Sequence, residues 1–300
     1  MSKKTLIVIA GPTAVGKTKL AIAIAQYFNT EIISADSRQI FMETRIGTAM
    51  PSEEDLSLVT HYLIASHHVT DYYNAWQFEQ DALQILSLLF EKKDVVVLAG
   101  GSGLYIDAVC NGIDEIPDID PDLRKKIDAQ FQEEGIEGLR LTLQHLDPEY
   151  YDVVDLQNPA RLKRAIEICM QSGQPYSQFR KQTKRKREFQ IVKIALNLPR
   201  EELYERINKR VDAMVKEGLE NEVRSLVPQK DCVALKTVGY REFFDYFDGI
   251  YSLAETIEKI KQNTRKYAKK QITWLKRTDD YAWFLPTEYE KILQYIQERM

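Results

Sequence analysis

The residue types and spacing best suited to chemistry lie near the start of the chain, in the run from Gly11 to Thr18. This run fits the pattern G-x-x-x-x-G-K-[ST], which cradles phosphate groups where a strand leads into a helix. Its glycines let backbone N–H groups turn toward phosphate oxygens, and the helix N-terminus adds a positive dipole end. Lys17 supplies a mobile cation, and the Thr18 hydroxyl can ligate Mg²⁺. The predicted polyphosphate site consists of Gly11, Pro12, Thr13, Ala14, Val15, Gly16, Lys17 and Thr18.

One carboxylate, Asp36, follows an apolar run at 31–35. Strand ends of doubly wound folds face one crevice, so we expect Asp36 and the glycine-rich turn at 100–102 beside the phosphate loop. That turn carries no acid, unlike the strand end that helps to hold Mg²⁺ in many P-loop NTPases. Asp36 could be a metal ligand or a general base. The neighbouring Ser37 and Gln39 favour the base, because they suit the reading of an adenine edge, although ordinary loop polarity would also account for them.

The elements that must position these residues follow from the apolar pattern. Short runs rich in β-branched residues predict strands buried on both faces of a parallel sheet, at 5–10, 31–35, 94–99 and 191–196. Stretches with helical spacing, at 17–28 and 78–90, give the order of a βαβ fold. The sequence therefore predicts an α/β fold with a P-loop NTPase-like parallel sheet flanked by helices.

The predicted sheet is interrupted by residues 118–187, which carry little β signal and become strongly basic toward their end. We interpret this region, with helical stretches at 123–132 and 160–170, as a mainly helical insertion. The predicted catalytic core comprises residues 1–117 and 188–300. In its last part, apolar side chains are spaced for one buried face of a long helix. They are Ile257, Ile260, Tyr267, Ile272 and Leu275.

Composition limits the classes of protein. The 300 residues are 44% hydrophobic and 29% charged, with a formal net charge of −4, so a nucleic-acid partner would need a local basic surface. Cys110, Cys169 and Cys232 lie far apart, which argues against a zinc module or a disulfide framework and indicates a reducing compartment. No run approaches the roughly 18 apolar residues of a membrane span. We expect a cytoplasmic protein, with no membrane partner.

Several ordered blocks resemble one family, the tRNA dimethylallyltransferases of the bacterial type, over nearly the whole chain. The blocks are GPTAVGKT at Gly11, DSRQ at Asp36, GTAMP at Gly47, GGSGLY at Gly100, NPARLKRA at Asn158, RVDAMVKEGL at Arg210, VGYREF at Val238 and QNTRKYAKKQITWLKR at Gln262. The resemblance implies transfer of a dimethylallyl group from dimethylallyl diphosphate to the exocyclic amine of adenine 37. The acceptors would be tRNAs that read codons beginning with U, and the products N6-dimethylallyladenosine and diphosphate. It also implies Mg²⁺ as cofactor, and we expect a monomer.

The resemblance also implies roles for individual residues. Asp36 would be the general base, Arg210 would help to neutralise the leaving diphosphate, and Ser102 stands where the family usually has a threonine near the target nucleotide. Met50 interrupts the usual GTAKP block, so no lysine acts there. The tRNA-contacting set implied is Asp36, Ser37, Arg38, Gln39, Ser102, Arg124, Gln157, Asn158, Pro159, Ala160 and Arg161.

The insertion is expected to grip the anticodon stem-loop of the tRNA. The nearly continuous cationic run at 180–187 could follow RNA phosphates, or it could be a solvated surface. A second basic stretch at 265–277 offers further cations. Other functions stay open: a nucleoside or nucleotide kinase that uses ATP, a prenyltransferase that acts on free adenine nucleotides, and a non-catalytic RNA-binding P-loop protein.

Overall fold

The structure is a computed structural model that describes residues 3–117, 119–180 and 185–300. The chain forms two compact units. The larger unit comprises Met1–Asn111 with Lys186–Met300, and the smaller comprises Gly112–Arg185.

Six parallel strands form a single sheet within the described residues of the larger unit. The strands are β1 (Thr5–Ala10), β2 (Ile32–Ala35), β3 (His61–Tyr62), β4 (Val95–Gly100), β5 (Gln190–Leu196) and β6 (Ala282–Phe284). Their order is β3-β2-β4-β1-β5-β6. The sequence-predicted parallel α/β fold is confirmed, and the predicted strands match β1, β2, β4 and β5 within a residue at each end.

Helices make up most of the remaining described structure. Their bounds are α1 (Lys17–Tyr27), α2 (Glu53–Leu58), α3 (Ala75–Phe90), α4 (Gly103–Asn111), α5 (Pro121–Leu146), α6 (Pro148–Tyr151), α7 (Pro159–Ser172), α8 (Tyr176–Phe179), α9 (Arg200–Lys216), α10 (Leu219–Ser225), α11 (Tyr240–Phe247), α12 (Leu253–Leu275) and α13 (Tyr289–Gln297). Within the described residues, no helix is long and apolar enough to cross a membrane.

The core of the larger unit explains why its strands read as continuous apolar runs. All of β1 and β2 is buried, and these strands pack with α1, α9, α12 and α13 in one hydrophobic cluster. A second cluster joins α9, α10, α11 and α12 to the segment around Ile40 and Phe41. Burial on both faces removes the alternation that a half-exposed strand would show.

The carboxyl ends of β2 and β4 approach unusually closely. A Cβ atom on Gly100, the last residue of β4, would lie 2.0 Å from the carbonyl oxygen of Ala35, the last residue of β2. Ser102 then donates its backbone N–H to the same carbonyl at 3.1 Å. This contact brings the segment after β2, which begins with Asp36, against the turn after β4.

The smaller unit is helical, with its own core between α5 and α7. Ile127, Leu139, Leu143, Leu162 and Ile166 are fully or almost fully buried there. The helix α5 is interrupted at Gly135, where φ is 66°. The helical stretches predicted at 123–132 and 160–170 fall inside α5 and α7.

Candidate active site

The phosphate loop adopts a conformation that only some residues tolerate. Gly16 has φ 109° immediately before α1, and Ala14 has φ 64°. A Cβ on Gly11 would lie 2.9 Å from the carbonyl oxygen of Leu196 in β5. Glycine at positions 11 and 16 therefore lets the loop turn tightly at the end of β1, so that the N-terminus of α1 points into the loop.

A large cavity of about 970 Å³ opens beside this loop. Its lining includes residues from the loop, from the ends of β2 and β4, and from α9 and α12. The sequence-predicted site residues in the lining are Thr13, Ala14, Gly16, Lys17, Thr18, Asp36, Arg38, Gln39 and Arg210. The phosphate loop and Asp36 thus share one cavity, as expected for residues that follow the ends of parallel strands. Arg210 reaches the same cavity from α9.

Local hydrogen bonds fix Asp36 at the end of β2. Its Oδ1 accepts the backbone N–H of Arg38 at 2.9 Å and that of Gln39 at 3.3 Å. An aspartate that accepts from the residues two and three positions later forms a compact turn, which restricts its side chain. These two bonds therefore hold the carboxylate at the cavity wall. Both donors are backbone N–H groups of neighbouring residues, and neither is a charged side chain.

Ser102 and Ser37 connect the turn after β4 to the segment after β2. Ser102 Oγ accepts the backbone N–H of Ser37 at 2.9 Å and donates to Ser37 Oγ at 3.1 Å. Ser102 is itself buried. These hydrogen bonds place both hydroxyl groups next to Asp36, the candidate base.

Two cations, Lys17 of the phosphate loop and Arg210 of α9, interact electrostatically with Asp36. Burial lowers the pKa of Lys17 to about 8; the charge of Asp36 opposes this shift, and that of Arg210 adds to it. Burial likewise lowers the pKa of Arg210, again opposed by Asp36. Lys17 Nζ donates to the carbonyl of Pro12 at 2.8 Å, and Arg210 Nη1 donates to Thr13 Oγ1 at 3.4 Å. Burial disfavours the charged forms of Lys17 and Arg210, and the negative charge of a bound polyphosphate would favour those forms again. The two cations therefore suit a polyphosphate ligand.

Arg38 and Gln39 make contacts inside the protein. Gln39 Nε2 donates to the carbonyls of Thr48 and Ala49, at 3.1 and 3.0 Å. Arg38 Nη1 donates to the carbonyls of Val233 and Ala234, at 3.2 and 3.0 Å. Both side chains therefore brace the segment after β2 in this structure, and the reading of an adenine edge by Gln39 stays a prediction.

The predicted tRNA-contacting residues of the smaller unit lie around the start of α7. Gln157, Ala160 and Arg161 are exposed, and the Asn158 side chain caps the helix by accepting the N–H of Arg161. Pro159 occupies the first turn, where its missing N–H has no cost. Arg124 Nε lies 3.4 Å from Glu167 Oε1. Their contact with tRNA stays a prediction.

The basic run at 180–187 is not a uniform surface. Residues 181–184 lie outside the described residues. Lys186 is exposed, but Arg187 is 10% exposed and pairs with the buried Glu79 at 2.6 Å. Arg187 also donates to the carbonyls of Val109 and Ala108. This arginine stabilises the packing of α3 and α4 and is not part of an open cationic surface. Contact of the rest of the run with RNA stays a prediction.

Sequence reasoning missed the part of α12 that faces the cavity. The apolar spacing predicts Tyr267 on a buried face, yet it lines the cavity and the residue is 38% exposed. Withdrawal of its hydroxyl from solvent, with the charge of Asp36 adding, raises the pKa of Tyr267 to about 12. Gln271, one turn later, lines the cavity too. The signal in the sequence was a pair of polar groups, the Tyr267 hydroxyl and the Gln271 amide, four positions apart on an otherwise apolar face of α12.

Comparison with known proteins agrees with the geometry. The profile of the IPP transferase family matches residues 39–278. The chain is 51% identical to tRNA dimethylallyltransferase 1 of Bacteroides thetaiotaomicron over 293 residues, which cover 98% of this chain and 95% of that protein. It is 49% identical to tRNA dimethylallyltransferase 1 of Bacteroides fragilis, covering 99% of both chains.

Solved structures give the same result. The fold is similar to the tRNA isopentenylpyrophosphate transferase of Bacillus halodurans, with a TM-score of 0.70 and 33% identity, covering 99% of this chain and 98% of that one. A eukaryotic dimethylallyltransferase acting on tRNA, at 23% identity, shares the fold with a TM-score of 0.78, over 99% of this chain and 77% of that one. The resemblance predicted from the sequence is confirmed, and the chain belongs to the IPP transferase family.

Proposed function

We propose that this protein transfers a dimethylallyl group from dimethylallyl diphosphate to the exocyclic amine of adenine 37 in tRNAs that read codons beginning with U. The enzyme class predicted from the sequence, a tRNA dimethylallyltransferase, agrees with the names of relatives about half identical over almost the full chain. One observation of this chain carries the proposal. A single cavity brings the strand-end carboxylate Asp36 together with the phosphate loop and the cations Lys17 and Arg210.

The cavity can serve both halves of this reaction. Negative charge grows on the diphosphate as its bond to the allylic carbon breaks, and Lys17, Arg210 and the N-terminus of α1 stabilise that charge. A new bond forms between the adenine nitrogen and the carbon, and the nitrogen loses a proton. Asp36 accepts this proton, since an exocyclic amine is a weak nucleophile while it keeps both hydrogens.

The acceptor must reach the cavity from outside an RNA stack. An adenine whose amine is to react has to leave the stacked loop and enter the protein, as in other enzymes that modify bases. Ser37 and Ser102 lie beside Asp36. We propose that their hydroxyl groups hydrogen-bond to the ring nitrogens or the amine of the adenine.

The site also suits a Mg²⁺ ion held mainly by its substrate. In the described residues, no group of three His, Cys, Asp or Glu side chains is placed to hold a metal. Mg²⁺ commonly takes one or two protein oxygens together with substrate phosphates and water, and Thr18 offers such a hydroxyl in the cavity. We propose Thr18 as a ligand, and the ion would neutralise diphosphate charge.

The proposal extends to partners and location. We propose that tRNA is bound through its anticodon stem-loop, with 118–187 as the contacting region. We also propose that the protein is a monomer. We propose the cytoplasm as its location, which agrees with the free cysteines of the chain.

The test is transfer of label from dimethylallyl diphosphate to unmodified tRNA, comparing wild type with Asp36→Ala. We expect label on adenine 37 with wild type and its loss in the variant, whose binding of the diphosphate is retained. A transcript with guanosine at 37 is the matched acceptor control. Phosphoryl transfer from ATP to a nucleoside, without prenyl transfer, would instead support a kinase.

A further inference from the structure

Gln271 connects two segments of the active site that are otherwise far apart in sequence. The residue belongs to α12 and is 7% exposed. Its Oε1 accepts the backbone N–H of Thr13 at 2.9 Å, and its Nε2 donates to the carbonyl of Gly101 at 2.9 Å. A primary amide is the side chain that can accept and donate in this way at once. Both ends of the Gln271 amide are therefore used.

The two connected segments serve different substrates in the proposed reaction. Thr13 lies in the phosphate loop and accepts from Arg210, so it belongs to the part that holds the diphosphate. Gly101 directly precedes Ser102, which hydrogen-bonds to Ser37 beside the candidate base. The Gln271 amide thus spans from the donor part of the site to the acceptor part.

The packing of α12 leaves the turn after β4 little freedom. A Cβ on Gly101 would lie 2.3 Å from Gln271 Nε2, and a Cβ on Gly103 would lie 2.2 Å from Trp274 Cδ1. Trp274 Nε1 also donates to Asp107 Oδ2 at 2.8 Å. Gln271 and Trp274 are three positions apart and share one face of the helix. The turn is pressed against this face, so its position follows that of α12.

We propose that Gln271 is a positioning residue that sets the spacing between the allylic carbon and the adenine amine. The inference rests on the proposed function, because the spacing matters only when both substrates are bound. Reacting atoms must come within about 3–3.5 Å in an aligned geometry, and small misplacement slows the reaction strongly. The contacts of each substrate remain on its own segment, so loss of the amide slows transfer more than it weakens either binding step.

The first test replaces the amide by an apolar chain of similar length, Gln271→Met. Label transfer is measured in a single turnover from the preformed complex, and the Kd of each substrate is measured separately. We expect the transfer rate to fall about 10- to 100-fold, with each Kd within about threefold of wild type. Gln294→Met, at an exposed position of α13, is the matched control and keeps the wild-type rate. Thermal unfolding identifies how much of each variant is folded.

A second variant tests the donor end of the amide. In Gln271→Glu, an ionised carboxylate still accepts from Thr13 N–H but cannot donate to the Gly101 carbonyl until it is protonated. We expect the ratio of variant to wild-type transfer rate to rise as the pH falls. Because an ionised carboxylate at this buried position also destabilises the fold, the rate is expressed per folded protein, with the folded fraction measured at each pH.

Two results would overturn the inference while leaving the function intact. One is wild-type transfer by folded Gln271→Met. The other is a rate loss fully explained by weaker binding of dimethylallyl diphosphate, since Gln271 would then serve the phosphate loop alone. If the wild-type protein itself transfers no label to tRNA, the proposed function fails and the inference fails with it.

Discussion

Lys17 should make binding of the diphosphate donor sensitive to pH well below the usual range of a lysine. Burial lowers the pKa of Lys17 to about 8 in the free site. Such a group is about 90% charged at pH 7 and about 10% charged at pH 9. Binding that requires the charged form should therefore weaken about tenfold between these pH values, which corresponds to about 1.4 kcal/mol. The sign follows because deprotonation removes a cation from the phosphate loop.

The assay measures the Kd of dimethylallyl diphosphate by calorimetry at constant ionic strength between pH 7 and pH 9. Lys17→Arg is the control, because a guanidinium keeps its charge over this whole range. We expect a wild-type Kd that rises toward a tenfold change, and a Kd of the variant that varies little. Arg210 also stays charged, so it does not contribute to the slope.

A wild-type Kd that is constant from pH 7 to pH 9 would refute this reasoning, since Lys17 would then be either fully charged or unimportant. An equal loss of affinity in Lys17→Arg would refute it too. In that case a different group would be responsible for the dependence on pH.

Three further changes test the catalytic assignment and the packing behind it. Asp36→Asn should slow single-turnover transfer about 10²- to 10⁴-fold while donor affinity is kept, since the loss is that of a general base; equal rates would exclude the base. Arg187→Met should lower the free energy of unfolding by up to about 3–5 kcal/mol in urea titrations, because Glu79 stays buried and loses its ion pair with the Arg187 guanidinium. Gly100→Ala should reduce folded yield or transfer sharply, because the new methyl would meet the Ala35 carbonyl at 2.0 Å; a soluble, fully active variant would show that β2 and β4 can separate.

The fold was largely predictable because its central strands are buried on both faces. β1, β2 and β4 are continuous apolar runs, and short runs of this kind separated by helical patterns are typical of a parallel sheet covered by helices. The short strands β3 and β6 were not predicted. They contain two and three residues, all only half-buried, and strands of this length leave no usable pattern.

The candidate site was predictable where its residues follow strand ends and less so where they come from helices. Asp36 and the phosphate loop lie in the expected crevice because parallel strand ends must meet there. The contacts of Gln271 could not be predicted, since its bond to Thr13 spans 258 positions and depends on how α12 packs. Arg187 likewise looked like part of a basic surface, although its buried partner Glu79 lies 108 positions earlier.

Charge connects the two halves of the site through the reaction. In the free cavity, Lys17 and Arg210 repel each other and Asp36 offsets part of this repulsion. An incoming diphosphate brings more negative charge than Asp36 supplies, so it favours the charged form of Lys17 and completes the neutralisation. In the proposed reaction, Asp36 takes the proton from the amine and loses its own negative charge beside the departing diphosphate. Both cations can then act on the leaving group alone, so proton removal and bond breaking assist each other.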